Sequence, residues 1–275
     1  MKAMPSADRL ARLFLLPLGL FVLAFFLLPM ARLVAVAGSG PNGLGEYLVL
    51  VTSPRHFSTL IATLVLSATA TLATLAIGVV VALFLGRTRF PGQNILIAML
   101  TLPLAFPGVV VGFMIILLAG RQGLIGGWTQ ALGMGRLVFA YSMAGLFAGY
   151  VYFSLPRVMV TLLAAVEKLD PALEEAARSL GASRVQVLRD VILPGIAPSL
   201  MASGAIAFAT AMGAFGTAFT LATRIDVLAM TIYTEFTLNA NIASAAALSI
   251  ALGLITWLVL AATRNLAGDR VAAAG

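Results

Sequence analysis

The sequence predicts an all-α integral membrane protein with six transmembrane helices. Three observations carry that expectation. Hydrophobic residues make up 61% of the chain and charged residues only 10%, with a mean hydropathy of +1.06. A water-soluble domain has no means of hiding that much apolar surface, so the solvent is a bilayer. Six runs reach the ~20 apolar residues that a spanning helix needs: 13–36, 59–86, 95–119, 137–155, 196–222 and 242–263. The basic residues alternate between the connecting segments. Lys2, Arg9, Arg12, Arg87, Arg89, Lys168, Arg178, Arg184, Arg189, Arg264 and Arg270 fall on one side, and Arg32, Arg55, Arg121, Arg136 and Arg224 on the other. Basic residues concentrate in cytoplasmic loops, so residues 1–12 and 264–275 are expected to be cytoplasmic tails flanking a membrane domain of residues 13–263.

Taken in order, the first run follows three basic residues, as a signal peptide would. It is too long for the apolar core of one and lacks a small-residue cleavage site in its place, so a retained helix is expected. The second carries Thr59, Thr63, Ser67 and Thr71 at four-residue spacing, hence on one face. That face suits either close helix packing or a hydrophilic path. The third contains Pro103 and Pro107, each removing a backbone donor, so a bend is expected. The fourth ends near Pro156-Arg157. Arg157 is read there as an interfacial residue snorkelling to the headgroups, with 158–169 continuing as an interfacial helix; a buried functional arginine is the other reading. The fifth has Ala205, Ala209, Gly213 and Thr217 at four-residue spacing, again a small-residue face. The outer loops, GSGPNGLG at 38–45 and GLIGGW at 123–128, are too short to be domains.

The polar stretch 170–194, DPALEEAARSLGASRVQVLRDVILP, stands apart. Asp170 followed by Pro171 is a helix start. Glu174 and Glu175 favour the positive end of the helix dipole, and Glu174 reaches Arg178 at i+4. Leu173, Ala176, Ala177 and Leu180 form one flat apolar face. Gly181 suits a C-cap, Ser183 with Gln186 suits a capping box for a second short helix, and Pro194 suits its stop. The expected product is a helix–glycine–helix elbow on the inner side of the membrane.

Several classes drop out. No G-x-x-x-x-G-K-[ST] loop occurs, so this chain should not bind ATP, and no cofactor or metal is expected on it. No catalytic residues are expected either. The lone His56, placed in an outer loop, is expected to be solvated and cannot support a histidine-paired nucleophile with Ser203. The net charge of +7 is scattered rather than gathered on one face, which excludes nucleic acid as a partner. The absence of cysteine excludes thiol chemistry. An ion-coupled secondary transporter remains as an alternative, although no Asp or Glu lies in a span interior.

Within the elbow, Glu175-Ala176-Ala177, Gly181 and Val191-x-Leu193-Pro194 resemble the EAA loop of permease subunits in type I ABC importers, with Val191 where the family usually has Ile. The 58–87 helix, with Ser58 where Asn is common, and PLAFPGVVVG are similar to the second and third spans of that MetI-like family. GAFGTAFTL at 213–221 resembles the polyamine, ferric-ion and phosphonate branch. The resemblance implies a permease of the inner membrane that forms half a pore and does not hydrolyse ATP. Its implied partners are two ATP-binding ATPase subunits carrying ATP and Mg, a homologous second permease, a solute-binding protein and the lipid bilayer. It implies a coupling helix in which Glu174, Glu175, Ala176, Ala177, Leu180, Gly181, Ala182 and Ser183 meet the ATPase. A polyamine is the expected solute, with phosphonate, ferric ion or an opine-like compound as alternatives. Thr101, Pro107, Met212, Phe215 and Thr217 are expected near the translocation pathway.

Overall fold

A computed structural model describes residues 7–221 and 226–273. Lys2 and Arg224 lie outside the described residues, as do the side chains of Arg9, Arg12, Arg264 and Arg270. All regular structure among the described residues is helical. Six stretches there are long and apolar enough to cross a membrane by length and composition: Leu15–Ala37, Pro54–Arg87, Gly108–Ala131, Met143–Lys168, Arg184–Met212 and Ile242–Thr263.

The chain divides into two compact units. The smaller comprises Met1–Phe57 and Ile232–Ala251. Its first helix runs as α1 (Ala7–Val22), a π-helical turn at Leu23–Leu27 and α2 (Leu28–Ala37). A 3-10 turn at Gly43–Leu48 and the short α3 (Val49–Thr52) follow. Ala37, Ala246 and Ala247 are buried together, with Leu33, Tyr47 and Ile250 against them. Beside them Glu46 is only 1% exposed. Its carboxylate accepts from Asn42 Nδ2 and Ser244 Oγ, both at 2.9 Å, so the buried charge keeps its hydrogen bonds. His56 is buried too, 3.7 Å from Glu235. It sits in a helix rather than in a solvated loop, which corrects the sequence expectation.

The larger unit comprises Ser58–Thr231 and Leu252–Gly275. It contains most of α4 (Pro54–Arg87), then α5 (Gln93–Thr101), a 3-10 turn at Leu102–Ala105, α6 (Gly108–Ala119) and α7 (Leu124–Ala131). After these come α8 (Met143–Lys168), α9 (Pro171–Ser179), α10 (Arg184–Val187), a π-helical turn at Leu188–Ile192, α11 (Leu193–Met212) and α12 (Phe215–Leu221). The start of α13 (Leu228–Thr237) and the second part of α14 (Ile242–Ala273) complete it.

The Thr59–Thr71 face of α4 is a packing face. Thr59, Thr63, Ser67 and Thr71 are all buried. Thr63 Oγ1 donates to the Thr59 carbonyl at 2.7 Å and accepts from the Leu228 amide at 2.8 Å. It thereby satisfies an orphan donor at the start of α13.

Three spans differ from the sequence expectation. The third does not bend but breaks. Phe106 and Pro107 are extended, with ψ of 134° and 152°, because Pro107 lacks an N–H and pushes the residue before it out of the helical region. The fourth starts later and continues further, from Met143 to Lys168. Val158, Met159, Leu162, Leu163 and Val166 are core rather than interfacial. Arg157 therefore marks no helix end: the caps set the boundary, and Pro156 is accommodated inside the helix. The fifth ends at Met212, and its Ala205–Thr217 face is interrupted by Gly213.

The broken segments fit together. On α12, Thr217 Oγ1 donates to the Gly108 carbonyl at 3.0 Å and Thr220 Oγ1 to the Val109 carbonyl at 3.2 Å. A Cβ on Gly112 would come within 2.7 Å of Thr220 Cβ, and one on Gly149 within 2.8 Å of Thr217 Cγ2. Glycine is what lets α6, α8 and α12 approach this closely.

Candidate functional site

The elbow forms largely as its residues dictate. Asp170 caps α9, its carboxylate accepting from the Ala172 amide at 2.9 Å. Pro171 occupies the first turn, where its missing N–H costs nothing. The helix ends in a Schellman arrangement. The Ala182 amide bonds to the Ala177 carbonyl at 3.1 Å and the Gly181 amide to the Arg178 carbonyl at 3.0 Å. This requires the left-handed backbone of Gly181, with φ of +89°. Ser183 and Gln186 then close a reciprocal capping box at the start of α10.

One part of the expectation fails. Pro194 does not stop the second helix. The backbone runs from Arg184 to Met212 as one helical stretch. Leu188–Ile192 takes a π-helical turn immediately before Leu193 and Pro194. The wider turn re-routes the carbonyls that a proline ring would otherwise meet, so the helix passes through. The second arm of the elbow is therefore continuous with a membrane span.

The side chains divide into two faces. Ala177, Ala182, Leu188 and Val191 are half-buried against a core that includes Val166, Val187, Ile192 and Ile196. Glu174 also points inward. Its carboxylate lies 2.6 Å from Arg87 Nη2 at the end of α4, and Arg178 stands further off at 4.0 Å. The same Arg87 nitrogen donates to the Leu169 carbonyl at 3.2 Å. Glu175, Ala176, Gly181 and Ser183 face out, as do the apolar side chains of Leu173, Leu180 and Val185. Leu180 is 90% exposed. Leu173, Leu180 and Val185 are thus large apolar groups left uncovered on a charged loop.

Of the residues expected to meet the ATPase, Glu174, Ala177 and Ala182 thus serve the inner attachment, and the others remain outward. Sequence reasoning missed two contributors. Arg87 was counted as a loop charge, and its partner is 87 residues away. Val185 lay outside the apolar face of α9 because it belongs to the next helix.

The expected pathway residues differ in their surroundings. Met212 and Thr217 are buried core residues. Thr101 is half-buried and donates to the Ile97 and Ala98 carbonyls of its own helix. Pro107 is exposed at the break before α6, and Phe215 is exposed with its ring 5.3 Å from that of Phe219.

Comparison with known proteins agrees with this architecture. Residues 76–268 match the family described as the binding-protein-dependent transport system inner membrane component. The chain belongs to that family. It is a permease subunit of an ABC importer of the type I class, and not an enzyme. The sulfate transport system permease protein CysT of Salmonella typhimurium is 33% identical over 223 residues, 80% of this chain and 79% of that one. The molybdenum transport system permease protein ModB of Escherichia coli is 34% identical over 218 residues, 77% of this chain and 94% of that one. Among solved structures, a bacterial ABC transporter involved in the import of the acidic polysaccharide alginate has a TM-score of 0.81 at 21% identity, covering 95% and 96% of the two chains. The MetNI methionine ABC transporter in an inward-facing conformation has a TM-score of 0.58 at 18% identity, covering 79% and 99%. These two establish the fold of the permease. The polyamine branch expected from residues 213–221 finds no support among these relatives.

Proposed function

We propose that this permease forms half of an import pore for a tetrahedral oxyanion of the sulfate or molybdate type. A separate ATPase drives it by gripping the elbow. The observation that carries the coupling role is the uncovered apolar surface of Leu173, Leu180 and Val185. It is mounted on a helix turn fixed at both ends by caps. The matching surface would be a groove on the ATPase, with Glu175 at its rim orienting the contact.

The solute class rests on the sulfate and molybdenum permeases at 33% and 34% identity. Charge supports it. Glu46, Asp226 and Glu235 are the acids that would draw a cation on the outer side. Glu46 is consumed by Asn42 and Ser244, and Glu235 stands beside His56 and Asn239. On the same side Arg32, Arg55, Arg121, Arg136 and Arg224 outnumber those three acids.

The remaining parts of the importer follow from the same reading. Two ATPase subunits sit on the cytoplasmic side, where the termini and the elbow also lie. A second permease, homologous to this chain, completes the pore. A solute-binding protein delivers the oxyanion from outside.

The test is uptake of radiolabelled sulfate and molybdate into proteoliposomes holding the assembled importer and its binding protein. Uptake that requires ATP on the elbow side, and that spermidine does not compete, is the expected result. Transport of spermidine but of neither oxyanion would reject the solute assignment.

A further inference from the structure

We propose that Arg157 is an oxyanion-binding residue inside the translocation pathway, near the middle of the membrane. The inference rests on the oxyanion reading above and names a residue that would act in it.

Arg157 is the fifteenth of the 26 residues of α8. Eleven residues separate it from Lys168, so at 1.5 Å per residue its Cα lies about 16 Å from the basic end of the helix. That depth is close to half of a ~30 Å hydrocarbon core. An arginine so placed is beyond easy reach of a lipid headgroup.

Its side chain is not packed away. Arg157 is exposed on the surface of the subunit, as are Thr161 one turn below it and Val160 and Ile206 beside it. Nη1 donates to Thr210 Oγ1 on α11 at 3.2 Å. Thr210 gives its own proton to the Ile206 carbonyl at 2.7 Å, so its oxygen is left to accept and hold the guanidinium. Thr161 Oγ1 donates to the Arg157 carbonyl at 2.9 Å.

No carboxylate among the described residues comes within ion-pair distance of Arg157. The acids within the six spans, Glu167 and Asp190, stand toward the elbow, Glu167 beside Lys168 and Asp190 paired with Arg189. A fixed cation facing lipid at this depth is strongly disfavoured, and charged residues in spans accordingly face a water-filled cavity or a partner. The group this one is shaped to meet is an anion. Guanidinium N–H groups form a planar fork that matches two oxygens of a tetrahedral oxyanion, and Thr210 uses only one of them. The aliphatic rim of Val160 and Ile206 lowers the local dielectric and strengthens the contact.

The assembled importer, reconstituted with its ATPase and binding protein, supplies the experiment. Arg157→Gln should lower the rate of sulfate or molybdate uptake at least tenfold, with Arg157→Lys intermediate, while the ATPase still co-purifies with the permease. The chain has no cysteine, so Val160→Cys, at an exposed position one turn from Arg157 on α8, introduces a single thiol and leaves the guanidinium in place. A polar, membrane-impermeant thiol reagent should label it, and sulfate or molybdate should slow that labelling severalfold. Wild-type uptake in the Arg157→Gln importer would overturn the proposal, as would a thiol reached only by lipid-soluble reagents, or labelling that the oxyanion does not slow. An importer whose unmodified form moves neither oxyanion rejects the solute assignment itself, and this site with it. An active wild type with an indifferent Arg157 rejects the site alone.

Discussion

The Arg87–Glu174 pair is where the elbow is bolted to the membrane domain, and Glu174→Gln is the change that loosens it. The two side chains are 23% and 12% exposed, with 2.6 Å between charged atoms. Removing one member of a fully buried pair costs about 3–5 kcal/mol, because the other charge is stranded. Here Arg87 keeps its bond to the Leu169 carbonyl, the site is partly open to water, and glutamine still offers an oxygen. Those three facts reduce the cost to about 2 kcal/mol, within the ~4 kcal/mol that two charges at 4 Å would gain at an effective dielectric of 20. At 1.4 kcal/mol per factor of ten, the detached form of the elbow becomes about 30-fold more populated. Local opening of that kind is read by hydrogen exchange. Amides of α9 should exchange about 30-fold faster in Glu174→Gln, while those in the core of α8 stay unchanged. ATP-dependent uptake should fall, with ATP hydrolysis by the complex preserved, because the motor turns without moving its load. The reversed pair, Glu174→Arg with Arg87→Glu, should recover a large part of both. Unchanged exchange in Glu174→Gln, or a reversed pair no better than the sum of its halves, would falsify the account of this contact as a strut.

Four further outcomes follow from named contacts. Leu180→Asp should abolish co-purification of the ATPase without shifting the melting temperature of the permease, since Leu180 is 90% exposed and touches no core. Gly181→Ala should destabilise the elbow by about 1 kcal/mol, seen as a few-fold faster exchange of the Gly181 and Ala182 amides, because alanine must adopt a φ of +89°. Gly149→Val should lower the melting temperature through overpacking of about 1–3 kcal/mol, as its Cβ meets Thr217. Restoring the melting temperature in Gly149→Val by adding Thr217→Ser is the check on that cause. Glu46→Ala should cost about 1–3 kcal/mol by leaving Asn42 and Ser244 without their acceptor, measured by thermal unfolding in detergent.

What could be read from the sequence was what is decided locally. Asp170, Pro171, Gly181, Ser183 and Gln186 each act on a neighbour within five residues, and every one of these caps forms. The six apolar runs were legible because bilayer thickness sets their length. Two misjudged boundaries show why a local rule can fail. Arg157 looked like an end because a charge is costly in lipid, yet α8 continues because its apolar face beyond that point, Val158 to Val166, is packed into the core. Pro194 looked like a stop because proline removes a donor, yet a π-helical turn absorbs it. Tertiary packing overrode the local rule at Arg157, and a change of helical turn overrode it at Pro194. The inward turn of Glu174 and the burial of His56 depend on partners 87 and 179 residues away, which no window of sequence can supply.

The elbow has two kinds of attachment, and they have different mechanical consequences. Its first arm, α9, is joined to α4 by a polar contact through Arg87. Its second arm has no joint at all, since α10 passes through the π-helical turn into α11. A force on Leu180 therefore reaches α11 along a continuous backbone, and reaches α4 through the ion pair and through the packing of Ala177 on the core that includes Ala82 and Leu85. α11 carries Thr210, and Thr210 holds the guanidinium of Arg157. A rotation or slide of α11 against α8 would change that contact before it disturbed the glycine-packed junction of α6, α8 and α12, which lies further along the chain. On the proposed coupling, the two helices that the elbow would move most directly against each other are α8 and α11, the two that hold Arg157 and Thr210. Cutting the continuous arm should accordingly be worse for transport than cutting the polar one. A helix-breaking glycine pair at Val187 and Leu188 should uncouple uptake more completely than Glu174→Gln, at equal retention of the ATPase. Equal losses in the two variants would mean that α4 and α11 share the stroke, and a greater loss in Glu174→Gln would mean that α4 carries it.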